Sequence, residues 1–387
     1  MAQNWTESLI RNGIPVVAPD GTQPAKILQY RRYAVQVHHF RIAQAVSIKP
    51  SGPGLQPVSQ RIVQEEDPAL WNKLERTASR AVYAAGWQAG VVKLELRGKS
   101  AVVVACEELS GSGRLAARPI HLPHKQPVLI GMDPEFVLLR DNGRIALASR
   151  YVGRRGLTGS DGIRVRGRVL HPIVELRPQP ASDPDLLFRR LKGALVRAAR
   201  QITDKDLRWA ASGMPVRGIA LGGHIHISGI ALTDEVVRAL DQYVALPFLM
   251  VEDSASLRRR PKYGCLGDVR RQPHGGFEYR TLPSWLVAPK YTYAAIVLCK
   301  LAAEHAGRLT TRSLFDRRLQ EAYYAGNKQV LLPVVRQLYE EWQSLPAYVP
   351  YSRKLKPFWD QALSGESWSC DRDMRHAWKL FRYQCQT

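Results

Sequence analysis

Acidic residues are in short supply along this chain. Against 56 lysines and arginines stand 34 aspartates and glutamates, which gives a net charge of +22 over 387 residues. Such a field draws in polyanions: nucleic acid, anionic polymers, nucleotides or acidic membrane surfaces. The basic residues are scattered and form no single tail, so dispersal of an arginine-rich composition over the surface accounts for the excess equally well. Cysteine is scarce too. Cys106, Cys265, Cys299, Cys370 and Cys385 are odd in number, far apart and form no CxxC pair. This argues against a zinc ribbon or a disulfide framework and points to a reducing compartment. No apolar run approaches the ~18 residues that span a bilayer. The start, MAQNWTESLI, lacks the basic stretch and apolar core of a secretory leader. The expectation is a soluble cytoplasmic protein with no membrane partner. Internal repeats and low-complexity segments are missing, as are helix-turn-helix, zinc-finger and RNP-like motifs.

What is present organises into two regions, expected at residues 1–120 and 121–387. The first reads as a small α/β unit. Residues 33–48 alternate as a strand, and 50–67 are rich in Pro, Gly, Ser and Gln and read as loop. A helix starts at Asp67-Pro68 with Leu70, Leu74, Ala78 and Val82 on one face, and two strands follow at 91–96 and 101–105. Residues 110–127 read as a linker. In the second region GMDPEFVLL is expected as one strand, with a turn at Asp141-Asn142-Gly143 and a return strand. The Gly- and Arg-rich 151–169 is expected as a mobile loop and candidate lid. HPIVELRP and LGGHIHIS read as strands, 183–200 and 233–258 as helices, the latter interrupted by Pro247. Two short strands around Arg270 and Glu278 precede a mainly helical remainder, whose Trp359, Trp368 and Trp378 are expected to pack back.

Several residue patterns carry chemistry. Asp133 and Glu135 are two apart in an expected strand and so share a face. Adjacent carboxylates repel unless a hard cation such as Mg²⁺ sits between them, or unless they are solvated at a strand start. Glu175 lies in an otherwise apolar strand, either facing a site or paired with Arg177. His224 and His226 share a face after two glycines, which suits either a metal or a core pair. Glu278 and Arg280 put an acid beside an arginine, the combination phosphoryl transfer needs. Arg270 or Arg271 would add a second positive charge. The run Arg258–Arg260 reads as a favourable placement against a helix dipole. Together these residues supply four carboxylates and an imidazole for oxygen-rich divalent sites, with arginines as a phosphate clamp.

In this order, GMDPEF, VELRP, GGHIHIS, YGCLGD-R and GFEYRTLPS resemble the glutamine-synthetase-like carboxylate–amine ligases. The resemblance is strongest to the type 2 carboxylate–amine ligases of bacteria and phages, relatives of glutamate–cysteine ligase, and covers roughly 128–310. It implies an α+β fold: a curved antiparallel sheet with helices on its back, binding ATP and Mg²⁺ or Mn²⁺ on the open face. It also implies that Asp133, Glu135, Glu175, His224 and Glu278 ligate metal, with Asp161 as a further carboxylate. His226 would lie near the nucleotide, and Arg270 and Arg280 would hold the γ-phosphate and an acyl phosphate. The reaction implied is ATP-dependent amide formation between a carboxylate and an amine, with Arg280, Arg270 and Glu278 as its catalytic residues. One departure is Asp133, where the family carries glutamate.

The first region resembles the final portion of ATP-grasp ligases, with Cys106-Glu107-Glu108 where that family places metal-binding Glu and Asn. The asparagine is missing, so a non-catalytic remnant or recognition module is expected. The competing class is a basic nucleic-acid-binding protein or metal-dependent nuclease, in which Glu175-Leu176-Arg177 would stand in for a Glu-x-Lys pair. The motifs favour the ligase, with an acidic peptide or polymer as a substrate that would suit the charge. They leave a homo-oligomer open.

Overall fold

The computed structural model describes residues 5–17, 31–48, 61–63, 67–109, 127–273, 275–311 and 313–384. Of the expected loop at 50–67 only 61–63 and 67 are described, and Arg61–Ile62 form a strand there instead; of the expected linker at 110–127 only 127 is described. The chain divides into two compact units. One comprises Met1–Leu122 with Ala231–Asp234 and Cys265–Gly267, and the other Pro123–Ile230, Glu235–Gly264 and Asp268–Thr387.

The first unit opens with α1 (Trp5–Arg11), followed by β1 (Arg31–His38), β2 (Arg41–Ile48) and β3 (Arg61–Ile62). Then come α2 (Pro68–Ala84), β4 (Ala89–Arg97) and β5 (Ser100–Glu108). Its five-stranded antiparallel sheet runs β3-β2-β1-β4-β5. The stretch expected as one strand is a hairpin, because His39 and Phe40 both take positive φ and reverse the chain. Such turns normally announce themselves with Asn or Gly, and neither is present. Helix α2 follows its sequence signals: Asp67 caps Leu70 N at 3.0 Å, and Pro68 occupies the first turn. Leu74, Ala78 and Val82 then pack on Val35, Val37, Val92, Leu94 and Val103.

The second unit begins with β6 (Leu129–Met132), β7 (Glu135–Leu139), β8 (Ile145–Ala146), β9 (Thr158–Val165) and β10 (Arg168–Leu176). Next are α3 (Pro184–Gln201), β11 (Arg208–Ala210), β12 (Ile225–Ser228), α4 (Asp234–Leu240), α5 (Leu246–Val251) and α6 (Ser254–Leu257). After β13 (Val269–Arg271) and β14 (Phe277–Tyr279) the chain is helical: α7 (Pro289–Glu304), α8 (Arg317–Ala325), α9 (Lys328–Ser344), α10 (Ser352–Ser364) and α11 (Met374–Trp378). Two open antiparallel sheets result, β11-β7-β10-β9 with β8 on β7, and β13-β14-β12-β6. Among the described residues the whole is a mixed α and antiparallel β structure with no closed sheet, and no helix is long and apolar enough to cross a membrane.

Four expectations need correction here. GMDPEFVLL is not one strand. Pro134 lacks an N–H for the ladder, and the chain leaves one sheet at Met132 and joins the other at Glu135. Residues 151–169 are not a loop throughout. From Thr158 they form β9, then a turn in which Arg166 and Gly167 both have positive φ, then β10. The Arg258–Arg260 run does not serve a helix dipole at the surface, because Arg259 and Arg260 are buried. Arg260 donates to both oxygens of Glu252 at 2.7 Å, a carboxylate that compensates the burial of its charge, and Arg259 donates to Thr281 O at 3.0 Å. The helix expected at 233–258 with an interruption at Pro247 instead runs on through Pro247 by way of a π-turn at Asp241–Ala245, and breaks where Glu252 and Asp253 turn extended ahead of α6. The tryptophans of the tail do pack inward, Trp359, Trp368 and Trp378 all being buried. Trp378 donates to Leu286 O at 2.7 Å.

Candidate functional site

The four-stranded sheet builds one face from register alone. His226 on β12 stands opposite Gly131 on β6 and Glu278 on β14, and Glu278 stands opposite Arg270 on β13. Directly opposed residues share a face, so these four form a row. A second row follows one step along. Asp133 N donates to His224 O at 3.3 Å, and Arg280 N to Asp268 O at 2.9 Å. Arg271 pairs with Phe277 and so faces away from that row, which leaves Arg270 as the arginine of the pair that faces the site.

The side chains converge. Asp133, His224 and Glu278 each offer a ligand atom, and these lie within 4.8 Å of one another. His224 Nδ1 is 3.1 Å from Asp133 Oδ1 and 3.3 Å from Glu278 Oε1. Arg280 pairs with that same Oε1 of Glu278. The other oxygen takes Arg270 at 2.5 Å and Gln272 at 2.9 Å. Glu278 is fully buried, while Arg270 is 60% exposed and free to change partners. His226 Nε2 is buried and 3.2 Å from Asp133 Oδ2, but out of line for a hydrogen bond, so it has none.

The second sheet adds Glu135 and Glu175, opposite each other on β7 and β10, and next to Gly159 on β9. A Cβ at Gly159 would fall 2.1 Å from Arg177 Nη1, so this glycine makes room for the guanidinium that pairs with Glu175. Glu135 and Gly222 hold each other: Glu135 N donates to Gly222 O at 3.1 Å, and Gly222 N to Glu135 Oε2 at 2.6 Å. Ser284 donates to Glu135 O. Asp161 pairs with Ile173 further along β9 and is exposed, acting on Glu135 only through its charge.

The titration behaviour follows from this crowding. Burial, then the charges of Asp133 and Glu135, push the Glu175 carboxyl up to about 9. Burial also raises Glu135, against the pull of His224 and Gly222 N–H. Burial works in the same direction at Asp133, but the hydrogen bond of His224 and the charges of His224 and His226 outweigh it and hold that carboxyl below its ordinary range. For His224, burial opposes the charge, and Asp133 and Glu135 overcome it and raise its basicity. Neighbouring buried carboxylates raised by one another, beside an imidazole nitrogen with no hydrogen bond, fit a divalent cation. The mixed oxygen and imidazole donors suit Mn²⁺ as well as Mg²⁺.

Sequence reasoning missed Gln272, although it lies two residues beyond Arg270 and therefore on the same face. The glycine pair serves the close approach that two adjacent glycines permit. A Cβ at Gly222 would come 2.1 Å from His224 Nε2, and one at Gly223 2.4 Å from Pro283 O and from Trp285 Nε1. Trp285 donates to Gly223 O at 3.0 Å, and nothing in the local pattern announces that contact.

The face of an open sheet thus gathers buried acids, imidazoles and arginines, with Asp133, His224 and Glu278 close enough to share one cation. Residues 130–380 match the family described as phage phiEco32-like COOH.NH2 ligase-type 2, and the chain belongs to that family. Among solved structures it is similar to a bifunctional glutathione synthetase from Pasteurella multocida, at 12% identity and a TM-score of 0.38, over 67% of this chain and 52% of that one. It is also similar to ligand-free GmaS, at 11% identity and a TM-score of 0.33, over 79% of this chain and 90% of that one. The chain thus spans about half the length of the glutathione synthetase. No curated protein sequence matches it.

Proposed function

We propose that the chain is an ATP-dependent carbon–nitrogen ligase that activates a carboxylate as its acyl phosphate and passes the acyl group to an amine. The work would be done on the open face of a sheet of glutamine-synthetase type. The observation that carries this reading is the convergence of Asp133, His224 and Glu278, flanked by Arg270 and Arg280, in a chain of carboxylate–amine ligase family.

A carboxylate is a poor electrophile, and its phosphorylation supplies the leaving group an amine can displace. Asp133, Glu135, Glu175, His224 and Glu278 would hold Mg²⁺ or Mn²⁺, which when bound neutralises phosphate charge as the γ-phosphoryl group moves. Arg280 and Arg270 orient that group and stabilise the charge on its oxygens. Both now rest on Glu278, so they reach an incoming anion by exchanging one acidic partner for another. His226 directs its unsatisfied nitrogen toward the nucleotide. The acyl phosphate must be kept from water, and the β9–β10 hairpin, which carries Glu175 in its stem, is the candidate lid. ATP, an acid and an amine are then the partners, met in the cytoplasm. Residues 1–120 would serve recognition.

Hydroxylamine intercepts acyl phosphates as stable hydroxamates. The test is incubation of the chain with ATP, Mg²⁺, hydroxylamine and a pool of amino acids and acidic peptides. ADP release coupled to hydroxamate is expected, and Glu278→Gln is expected to lower it by at least ~100-fold with an unchanged circular dichroism spectrum. Undiminished turnover in that variant would sink the site assignment. Salt-sensitive DNA binding with no ATP turnover would favour the nucleic-acid class instead.

A further inference from the structure

Helix α3 contains a glycine, Gly193, in its interior. Glycine is the poorest helix former apart from proline, and close packing against its bare backbone is the usual compensation. At Gly193 that compensation is missing: a Cβ there would meet no atom within 4 Å. The space it leaves belongs to a cavity of about 450 Å³ with Leu157 and Val196 among its apolar lining and Arg190, Arg197 and Arg200 as its cations. At ~100° per residue, positions 190, 193, 196, 197 and 200 fall on one strip of the helix. Arg190 donates to the carbonyls of Gln179 and Pro180 at 3.3 and 2.6 Å and fixes one wall. Among the described residues, Arg197 and Arg200 have no hydrogen-bond or ion-pair partner, and no acidic side chain lines the cavity.

This groove is separate from the carboxylate cluster. Thr158, which donates to Ala194 O at 3.5 Å, shows which face of the sheet α3 covers. Thr158 pairs with Leu176, whereas Glu175, one residue earlier, faces the other way.

We propose that the groove docks a short acidic peptide segment bearing an aliphatic side chain, presented by another protein. The two unpaired guanidiniums would take its carboxylates, the apolar lining would take the aliphatic group, and the missing Cβ would let its main chain lie against the helix. Nothing in this depends on ATP turnover.

The test is fluorescence anisotropy of a labelled hexapeptide of glutamate and leucine against the full chain, with a single-stranded oligonucleotide of equal charge as the second probe. The double variant Arg197→Glu/Arg200→Glu is expected to weaken peptide binding at least ~10-fold. Gly193→Leu, which improves helix propensity and so keeps the fold, is expected to do the same by filling the groove, with an unchanged or higher Tm. The proposal is overturned if the parent chain does not bind the peptide or if either variant binds it as tightly as the parent. It is also overturned if the oligonucleotide binds more tightly through the same arginines.

Discussion

Replacement of Gly222 by alanine separates the roles of main chain and side chain in the candidate metal site. The new methyl carbon would stand 2.1 Å from His224 Nε2, 2.6 Å from Cε1 and 2.7 Å from Cδ2. Carbon atoms pack at ~3.5–4.0 Å, so the imidazole must move by an ångström or more. It cannot yield cheaply, because it is buried and its Nδ1 lies against Asp133 and Glu278 at 3.1 and 3.3 Å. Shifting Gly222 instead would break its paired hydrogen bonds to Glu135. Overpacking of this kind costs about 1–3 kcal/mol. Loss of ligand alignment lowers metal affinity by about 10–100-fold. Mn²⁺ binding followed by electron paramagnetic resonance, with a urea melt alongside, measures both. A variant that binds Mn²⁺ as the parent does would show that His224 is not a ligand. A variant that loses affinity only by unfolding would show that the glycine serves the fold alone.

Two further outcomes follow from the charges. Glu175 is raised in the folded chain to about 9 from an unfolded value of about 4.3. Its contribution is therefore complete below about pH 4.3 and is lost as pH rises toward 9. In EDTA, Tm should fall across that window, and added Mg²⁺ should restore more at about pH 8.5 than at about pH 5.5. Glu175→Gln should flatten the metal-free trend, and equal restoration at both pH values would contradict the reasoning. Separately, Arg260→Met leaves the Glu252 carboxylate buried without its partner and should cost about 3–5 kcal/mol in a urea titration. The double variant with Glu252→Gln should recover most of that, and a single-variant loss under about 1 kcal/mol would refute it.

The elements that sequence pattern revealed are those whose causes are local. Helix α2 has its Asp67 cap, its Pro68 and a four-residue apolar spacing, and α3 has the same cap chemistry at Asp183. Strand β10 announces itself by a short apolar run and β12 by alternation, and alternation in β14 places Glu278 and Arg280 together. What stayed hidden depends on partners far along the chain. The turn at His39-Phe40 has no residue type that declares it. The burial of Arg260 depends on Glu252, and its ring partner Tyr323 comes from α8. Pro134 reads as a residue inside a strand, since nothing nearby says that the pairing partners change on either side of it. Asp133, though shorter than a glutamate, comes within 3.2 Å of both imidazoles because β12 passes directly beside it.

The handover between the two sheets at Asp133-Pro134 also constrains how this site can drift. Strands β6 and β7 hang from one short span of chain, with Asp133 in between. Removing a single residue there would turn every side chain of one sheet over with respect to the other, and acids and imidazoles would then look in opposite directions. A substitution at Pro134 can be absorbed, but a change in the length of the junction cannot, so descendants of this sequence should keep the acid at 133 and hold the count fixed.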